Sequence, residues 1–423
     1  MSVAGRFFVG RSPKDANYAK IKQAPLMLKK KYVLIIFIFV MLFIAGAFFL
    51  FAQNKKSEIN NDIGQKAAGN AATENSPVPA AVRNNFFVAG WLPYWAKAGG
   101  AASLQGQLGS FSEIDIFAYS VDANGNLKDT SKISSAPWAD LLSEAEKQNV
   151  KIIPTILWGD ASAMHKIFSN DDLLNQHVDN IFAMLDRNNF SGVDIDYEGK
   201  DIADRDNFSA FLKALHEKLS ADKKTLNCTV EARTEDAPPG GFTGTRAMSW
   251  ANDFSALNSY CDSVRVMAYD QVFQIYRANT FESNDTMPTA PNADDRWVGQ
   301  VMQYALKFIA PEKLILGVPT YGWEFQYQKI ANGYRYTRVK SVSYIEAMAD
   351  AKTAGVTPTR TDGGELSFDY RTGDWMHIVT FADAASVQDK INIAKKLKLK
   401  GISLFKIDGL ADPQIFKTLS VIK

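Results

Sequence analysis

The chain has 423 residues, enough for one large domain or two to three ordinary ones, and its 47 Lys and Arg nearly balance its 46 Asp and Glu. Two cysteines are too few for a disulfide-framed scaffold or a structural zinc site. His165, His177, His216 and His377 show no H-x-x-x-H or H-E pairing, and there is neither a nucleophile elbow nor a phosphate loop, so no metal and no cofactor is expected.

The even charge hides an asymmetry. Residues 1–31 hold eight Lys or Arg against Asp15 alone, while the rest of the chain holds 39 basic and 45 acidic side chains. A basic arm on an acidic body can signal nucleic-acid binding, but the next segment points to a membrane and against a nucleic-acid partner. Residues 32–52, YVLIIFIFVMLFIAGAFFLFA, carry no charge. At about 1.5 Å per residue such a helix spans a hydrocarbon core of about 30 Å. The cations before it predict a cytoplasmic N-terminus. The apolar run exceeds the roughly 7–15 residues of a cleaved signal peptide, and no convincing A-x-A precedes Gln53. The expectation is a single-pass signal anchor in the cell membrane with the remainder extracytoplasmic. Residues 53–85, rich in Asn, Ala, Gly, Ser and Pro, cannot bury enough surface to order themselves and read as a flexible linker with a reach of roughly 30 Å.

From Phe86 to the C-terminus, short apolar runs alternate with helical patterns. The runs are 86–91, 114–120, 151–157, 192–197, 226–232, 263–269, 314–319 and 401–405; amphipathic periodicity marks 138–148, 171–187, 204–220, 296–308 and 386–397. Eight strands alternating with helices predict an α/β fold, a closed (β/α)8 TIM barrel spanning 86–423. About 60 residues separate the seventh and eighth strands, too many for a bare loop. Their own pattern (GYRYTRV, SVSYIEAMADAKTAG, ELSFDYR, WMHIVTF) predicts a small α+β insertion over about 324–380. Cys228 and Cys261 fall low on adjacent strands with different offsets from the strand ends, which argues against a bond although an exported chain would permit one. Nothing suggests an oligomer, and a monomer is expected.

The fourth strand carries the strongest signal. In SGVDIDYEG, Ser191–Gly199, the acids Asp194, Asp196 and Glu198 alternate with Val193, Ile195 and Tyr197. Alternation on a strand sends the acids to one face, here the lumen, and the apolar set to the other. Three uninterrupted acids repel one another unless something uses them. Barrel chemistry sits at strand carboxyl ends. There the sequence places Trp91, Tyr94, Trp95, Trp158, Glu198, Glu231, Arg233, Met267, Tyr269, Asp270, Gln271, Tyr321, Trp323, Glu324 and Phe405.

SGVDIDYEG resembles the DxxDxDxE signature of glycoside hydrolase family 18, the chitinases and their relatives, with Ser191 in place of the first acid. DRDNFSAFLKAL, 204–215, resembles the following helix in the branch containing spore-cortex-lytic N-acetylglucosaminidases. MAYDQ, 267–271, resembles the family's M-x-Y-D element. The resemblance implies an enzyme, a glycosidase acting on a polysaccharide that contains N-acetylglucosamine, peptidoglycan or a chitin-like glycan, without a cofactor. It implies Glu198 as general acid, Asp196 and Asp194 as its supporting acids, and Tyr269 with Asp270 as holders of the N-acetyl group. Trp91, Tyr94, Trp95, Trp158, Arg233, Met267, Gln271, Tyr321, Trp323 and Phe405 would bind the sugar, whose C–H faces stack on aromatic rings. The family cleaves with retention, through attack by the substrate's own acetamido carbonyl, an exception to the two-carboxylate rule. Residue reasoning alone seeks a second carboxylate and leaves Glu231, Asp270 and Glu324 as candidates. Phe405 stands where the family usually has Trp, and strand three reads IIPTILWGD rather than SxGG. A non-catalytic, lectin-like glycan binder on the same barrel is the alternative reading.

Overall fold

A computed structural model describes residues 86–422; the basic tail, the span 32–52 and the linker 53–85 lie outside the described residues. Among the described residues, no helix is long and apolar enough to cross a membrane. Eight strands form the barrel: β1 (Phe87–Pro93), β2 (Glu113–Val121), β3 (Lys151–Trp158), β4 (Gly192–Tyr197), β5 (Thr225–Glu231), β6 (Ser263–Met267), β7 (Leu314–Pro319) and β8 (Gly401–Phe405). Each pairs in parallel with its sequence neighbour, and β1 closes the ring by pairing with both β2 and β8. The eight runs read from sequence are these strands, within about two residues at each end.

The barrel is apolar outside and polar within. On β4, Val193, Ile195 and Tyr197 are buried against the helical ring, where Tyr197 stacks 5.6 Å from Phe211. The helix Asp171–Arg187 starts at Asn170, whose side chain accepts from the Leu173 N–H at 3.0 Å, and it buries Leu174, Val178, Ile181 and Leu185 on one stripe. Inside, Asp194 and Asp196 face the lumen beside Asn227 and Thr229 of β5.

The insertion is larger than its sequence pattern. A six-stranded antiparallel sheet runs in the order Thr359–Arg360, Leu366–Thr372, Trp375–Phe381, Tyr321–Ile330, Gly333–Ser343, Thr280–Ser283. Its helix, Tyr344–Ala354, opens with a Ser343–Glu346 capping box. The strand Tyr321–Ile330 begins directly after β7, so residues read as the end of the seventh strand belong to the insertion sheet. Thr280–Ser283 comes from the connection after β6; four residues flanked by polar ones gave no period to read.

The cysteines depart from what their strand offsets suggest. Cys228 and Cys261 form a disulfide, with Cα atoms 6.0 Å apart. Cys261 is not on β6 but caps the helix Phe254–Tyr260 before it. The following turn lies against β5, with the Asp262 N–H bonded to Leu226 O and the Leu226 N–H to Asp262 Oδ2, both 2.8 Å. A strand-end offset therefore does not apply to it.

Candidate active site

The site is built upward from the lumen of the barrel. At its middle, Asp194 accepts four side-chain contacts: Trp91 Nε1 at 3.0 Å and Thr155 Oγ1 at 2.9 Å on one oxygen, Thr229 Oγ1 at 2.8 Å and an Arg265 guanidinium nitrogen at 3.5 Å on the other. Arg265 also binds Glu113 and, at 3.1 Å, Asp115, and is itself fully buried. Burial opposes its charge, but attraction to Asp115, Asp194 and Glu113 outweighs that and raises the guanidinium pKa. Asp115 is pushed well above the carboxylate range, mainly by burial, with Arg265 pulling the other way and Glu113 and Asp194 adding to the rise. One cation thus serves three acids, which is a high-stakes buried network.

Above this layer, Asp196 is buried, and its Oδ1 has no hydrogen-bond partner among the described residues. Burial, then the charges of Glu198, Asp194 and Glu231, hold it well above its ordinary pKa, against a smaller pull from Lys200. Glu198, just past the strand and partly accessible, is raised to about 7, first by burial and then by Glu231, with Lys200 opposing and Asp270 adding. Its backbone N–H is bonded to Trp158 O at 2.8 Å. Gly199 then takes a left-handed φ of 71°, and the chain turns back so that the buried Lys200 ammonium meets Tyr197 O. Lys200 also lies 3.8 Å from Glu231 and 4.6 Å from the centre of the Phe208 ring. Glu231 is fixed further by Asn252 Nδ2 at 2.7 Å and the Gly199 N–H at 3.2 Å.

Aromatic rings gather at the mouth. Phe405 stacks on Tyr269 at 5.5 Å and meets Trp91, Phe117 and Tyr321 edge-on at 5.8–6.2 Å. Burial and the nearby charges of Asp196 and Asp270 raise Tyr269 well above its usual pKa, so its hydroxyl remains a donor. Asp270, at φ 55°, receives Tyr321 OH at 2.5 Å and Trp323 Nε1 at 2.7 Å; burial raises its pKa while these two donors lower it. Met267 is buried on the lumen side of β6, and Tyr94 and Trp95 stand exposed beyond β1, edge-to-face at 5.0 Å.

Three residues expected in the sugar site are elsewhere. Trp158 is buried in the outer core, 5.2 Å from Tyr197 and 5.7 Å from Phe168, because it follows Leu157 by one residue and so takes the other face. Arg233 is buried with its guanidinium over Phe254 at 4.2 Å and Tyr304 at 5.3 Å. The Gln271 side chain accepts from the Asp294 N–H at 2.9 Å, which occupies it in the loop below the insertion. Nor is Glu324 a second catalytic carboxylate: Tyr370 OH and His377 Nδ1, both at 2.6 Å, hold it within the insertion sheet. Arg265, Glu113 and Asp115 escaped notice, although a lone Arg in SVRVM and the alternating acids of EIDIF are the lumen pattern seen at Asp194–Glu198.

Comparison with known proteins bears on the family and the fold. The family model for glycosyl hydrolases family 18 matches residues 88–409. An uncharacterized glycosylase of Bacillus subtilis, YvbX, is 23% identical over 301 residues, covering 69% of this chain and 79% of its own. A cortical fragment-lytic enzyme of Bacillus anthracis is 26% identical over 308 residues, covering 72% of this chain; the match spans 66% of that relative, just under two thirds. Among solved structures, the spore cortex-lytic enzyme SleL of Bacillus megaterium QM B1551 aligns with a TM-score of 0.65 at 20% identity, covering 81% of this chain and 75% of that one. At that identity the likeness concerns the fold.

Proposed function

The chain belongs to glycosyl hydrolase family 18 and is a glycosidase; from that premise we propose that it cleaves β-linked N-acetylglucosamine glycans by a retaining, substrate-assisted route, outside the membrane that residues 32–52 would anchor it to. The observation that carries this reading is the graded column on and just past β4: Asp194 enclosed by four donors, Asp196 held well above its ordinary pKa by burial with one oxygen unpartnered, and Glu198 raised to about 7. A general acid works best with a pKa near the operating pH. Glu198 would protonate the leaving oxygen as the acetamido carbonyl oxygen attacks C1 and the C1–O bond breaks. Asp196, with Tyr269 OH, would hold the acetamido group through that step. Water then adds to C1 of the oxazolinium, and Glu198 takes back the proton. The engagement of Glu231 by Lys200 and Asn252, and of Asp270 by Tyr321 and Trp323, leaves no carboxylate free to act as nucleophile among these candidates. The buried disulfide suits an oxidising, extracytoplasmic location.

The test incubates the full chain with peptidoglycan strands and chitooligosaccharides and reads products by mass spectrometry. Reducing-end N-acetylglucosamine products, lost in Glu198→Gln and blocked by a thiazoline mimic of the oxazolinium, are expected. Efficient cleavage of de-N-acetylated polymer would point to a protein nucleophile. Binding without any product would favour a lectin.

A further inference from the structure

Beside Glu198 opens a cleft of about 490 Å3 whose walls carry three arginines, Arg246, Arg277 and Arg338, together with Asp270 and Trp323. They arrive from three separate connections, yet hydrogen bonds tie those connections to one another. Arg277 donates to Ser249 Oγ at 2.6 Å, in the segment that carries Arg246, and the Arg338 N–H bonds to Asn279 O at 2.8 Å, two residues past Arg277. Two of the guanidiniums lie over aromatic rings: Arg246 over Phe242 at 4.1 Å, and Arg338 over Trp323 at 5.5 Å and Phe273 at 5.7 Å. A ring beneath a guanidinium attracts the cation without using up its N–H donors.

None of the three forms an ion pair among the described residues, where the paired arginines are Arg205, Arg265, Arg296, Arg335 and Arg360. Two polar atoms in the same cleft are buried and unpartnered, Arg277 Nε and Gln274 Oε1. A neutral glycan offers hydroxyls to such donors but no charge. The groups that complement a fork of guanidinium donors are planar anions, which it binds bidentately. We propose that this cleft takes an acidic glycan, in which the unit adjoining the cleaved N-acetylhexosamine carries a carboxylate held by Arg246, Arg277 and Arg338. The inference rests on the glycosidase reading above and adds the substrate's charge to it. The carboxylate has two sources, a lactyl ether on a muramic acid unit or the ring carboxylate of a uronic acid.

The experiment measures kcat/KM of the full chain on four glycans: an alternating N-acetylglucosamine–N-acetylmuramic acid strand, the same strand with its carboxylates methylamidated, hyaluronan, and chitooligosaccharides. The muramic strand or hyaluronan should exceed its uncharged counterpart by about tenfold or more, the scale of one charge-assisted hydrogen-bond pair. Whichever acidic polymer leads identifies the source. Arg338→Gln and, separately, Arg277→Gln should shrink the acidic-to-neutral ratio, chiefly through KM, as should added salt. Equal turnover of charged and amidated strands, with a ratio that neither variant moves, overturns the inference while leaving the glycosidase reading standing. Should no glycan be cut, that reading falls by itself, and calorimetric binding of the acidic against the amidated strand to the same protein still decides: a preference for the acid supports the cleft, and equal binding overturns it.

Discussion

Glu198 is held where its acid form persists to about pH 7, and that has a cost that can be measured separately from activity. Its folded pKa lies above the ordinary 4.5, so the native state binds the proton more tightly than the unfolded chain does. Stability attributable to this group is therefore full below about 4.5 and declines as pH rises through about 7. Glu198→Gln removes the titration. The variant is expected to match the parent's melting temperature near pH 4 and to exceed it at pH 8, by the equivalent of about 1–3 kcal/mol; a lower melting temperature at pH 8 would contradict the assigned environment. Lys200 acts on the same group from the opposite side. Replacing it with Met strands the buried Glu231 carboxylate, so a loss of about 3–5 kcal/mol is expected in urea denaturation. The same change removes a charge that lowers Glu198, so the basic limb of the kcat/KM profile should move to higher pH. Asp194, Asp196 and Glu198 were legible because alternation and like charge coincide on one strand. Lys200 was not, since its burial depends on the left-handed turn at Gly199 and on a partner from β5 that spacing does not reveal.

At the scale of the element, the eight strands were legible because a parallel barrel strand is short, apolar on its outer face and bounded by turns. The lumen was harder to read. Glu113 on β2, Asp194 on β4 and Arg265 on β6 are far apart in sequence and meet only when the ring closes. Arg265→Met should cost about 3–5 kcal/mol at pH 7, because three acids lose their common cation. Urea denaturation of the variant measures this loss, and a cost below about 1 kcal/mol would mean that the three acids do not depend on that cation. The disulfide lay beyond the strand pattern because its second cysteine caps a helix. Closing a 33-residue separation, it is expected to contribute about 3–4 kcal/mol through unfolded-chain entropy, which Cys261→Ser followed by urea denaturation would measure.

For the whole molecule, charge and hydropathy set a direction that the barrel alone does not. The tail of 1–31 is strongly basic, residues 32–52 carry no charge, and 53–85 is rich in Asn, Ala, Gly, Ser and Pro. If the cations hold the N-terminus in the cytoplasm, as proposed above, the barrel would lie outside the membrane. A protease added to intact cells should then cut within 53–85 and release a soluble body carrying the whole barrel. Its own backbone should resist digestion, since its eight strands close on themselves without a free edge. The released body should retain turnover on short soluble glycans and lose rate on polymer fixed near the membrane, where tethering had raised the local concentration. Protection of the full chain until the cells are permeabilised would reverse the orientation and place the cleft on the cytoplasmic side.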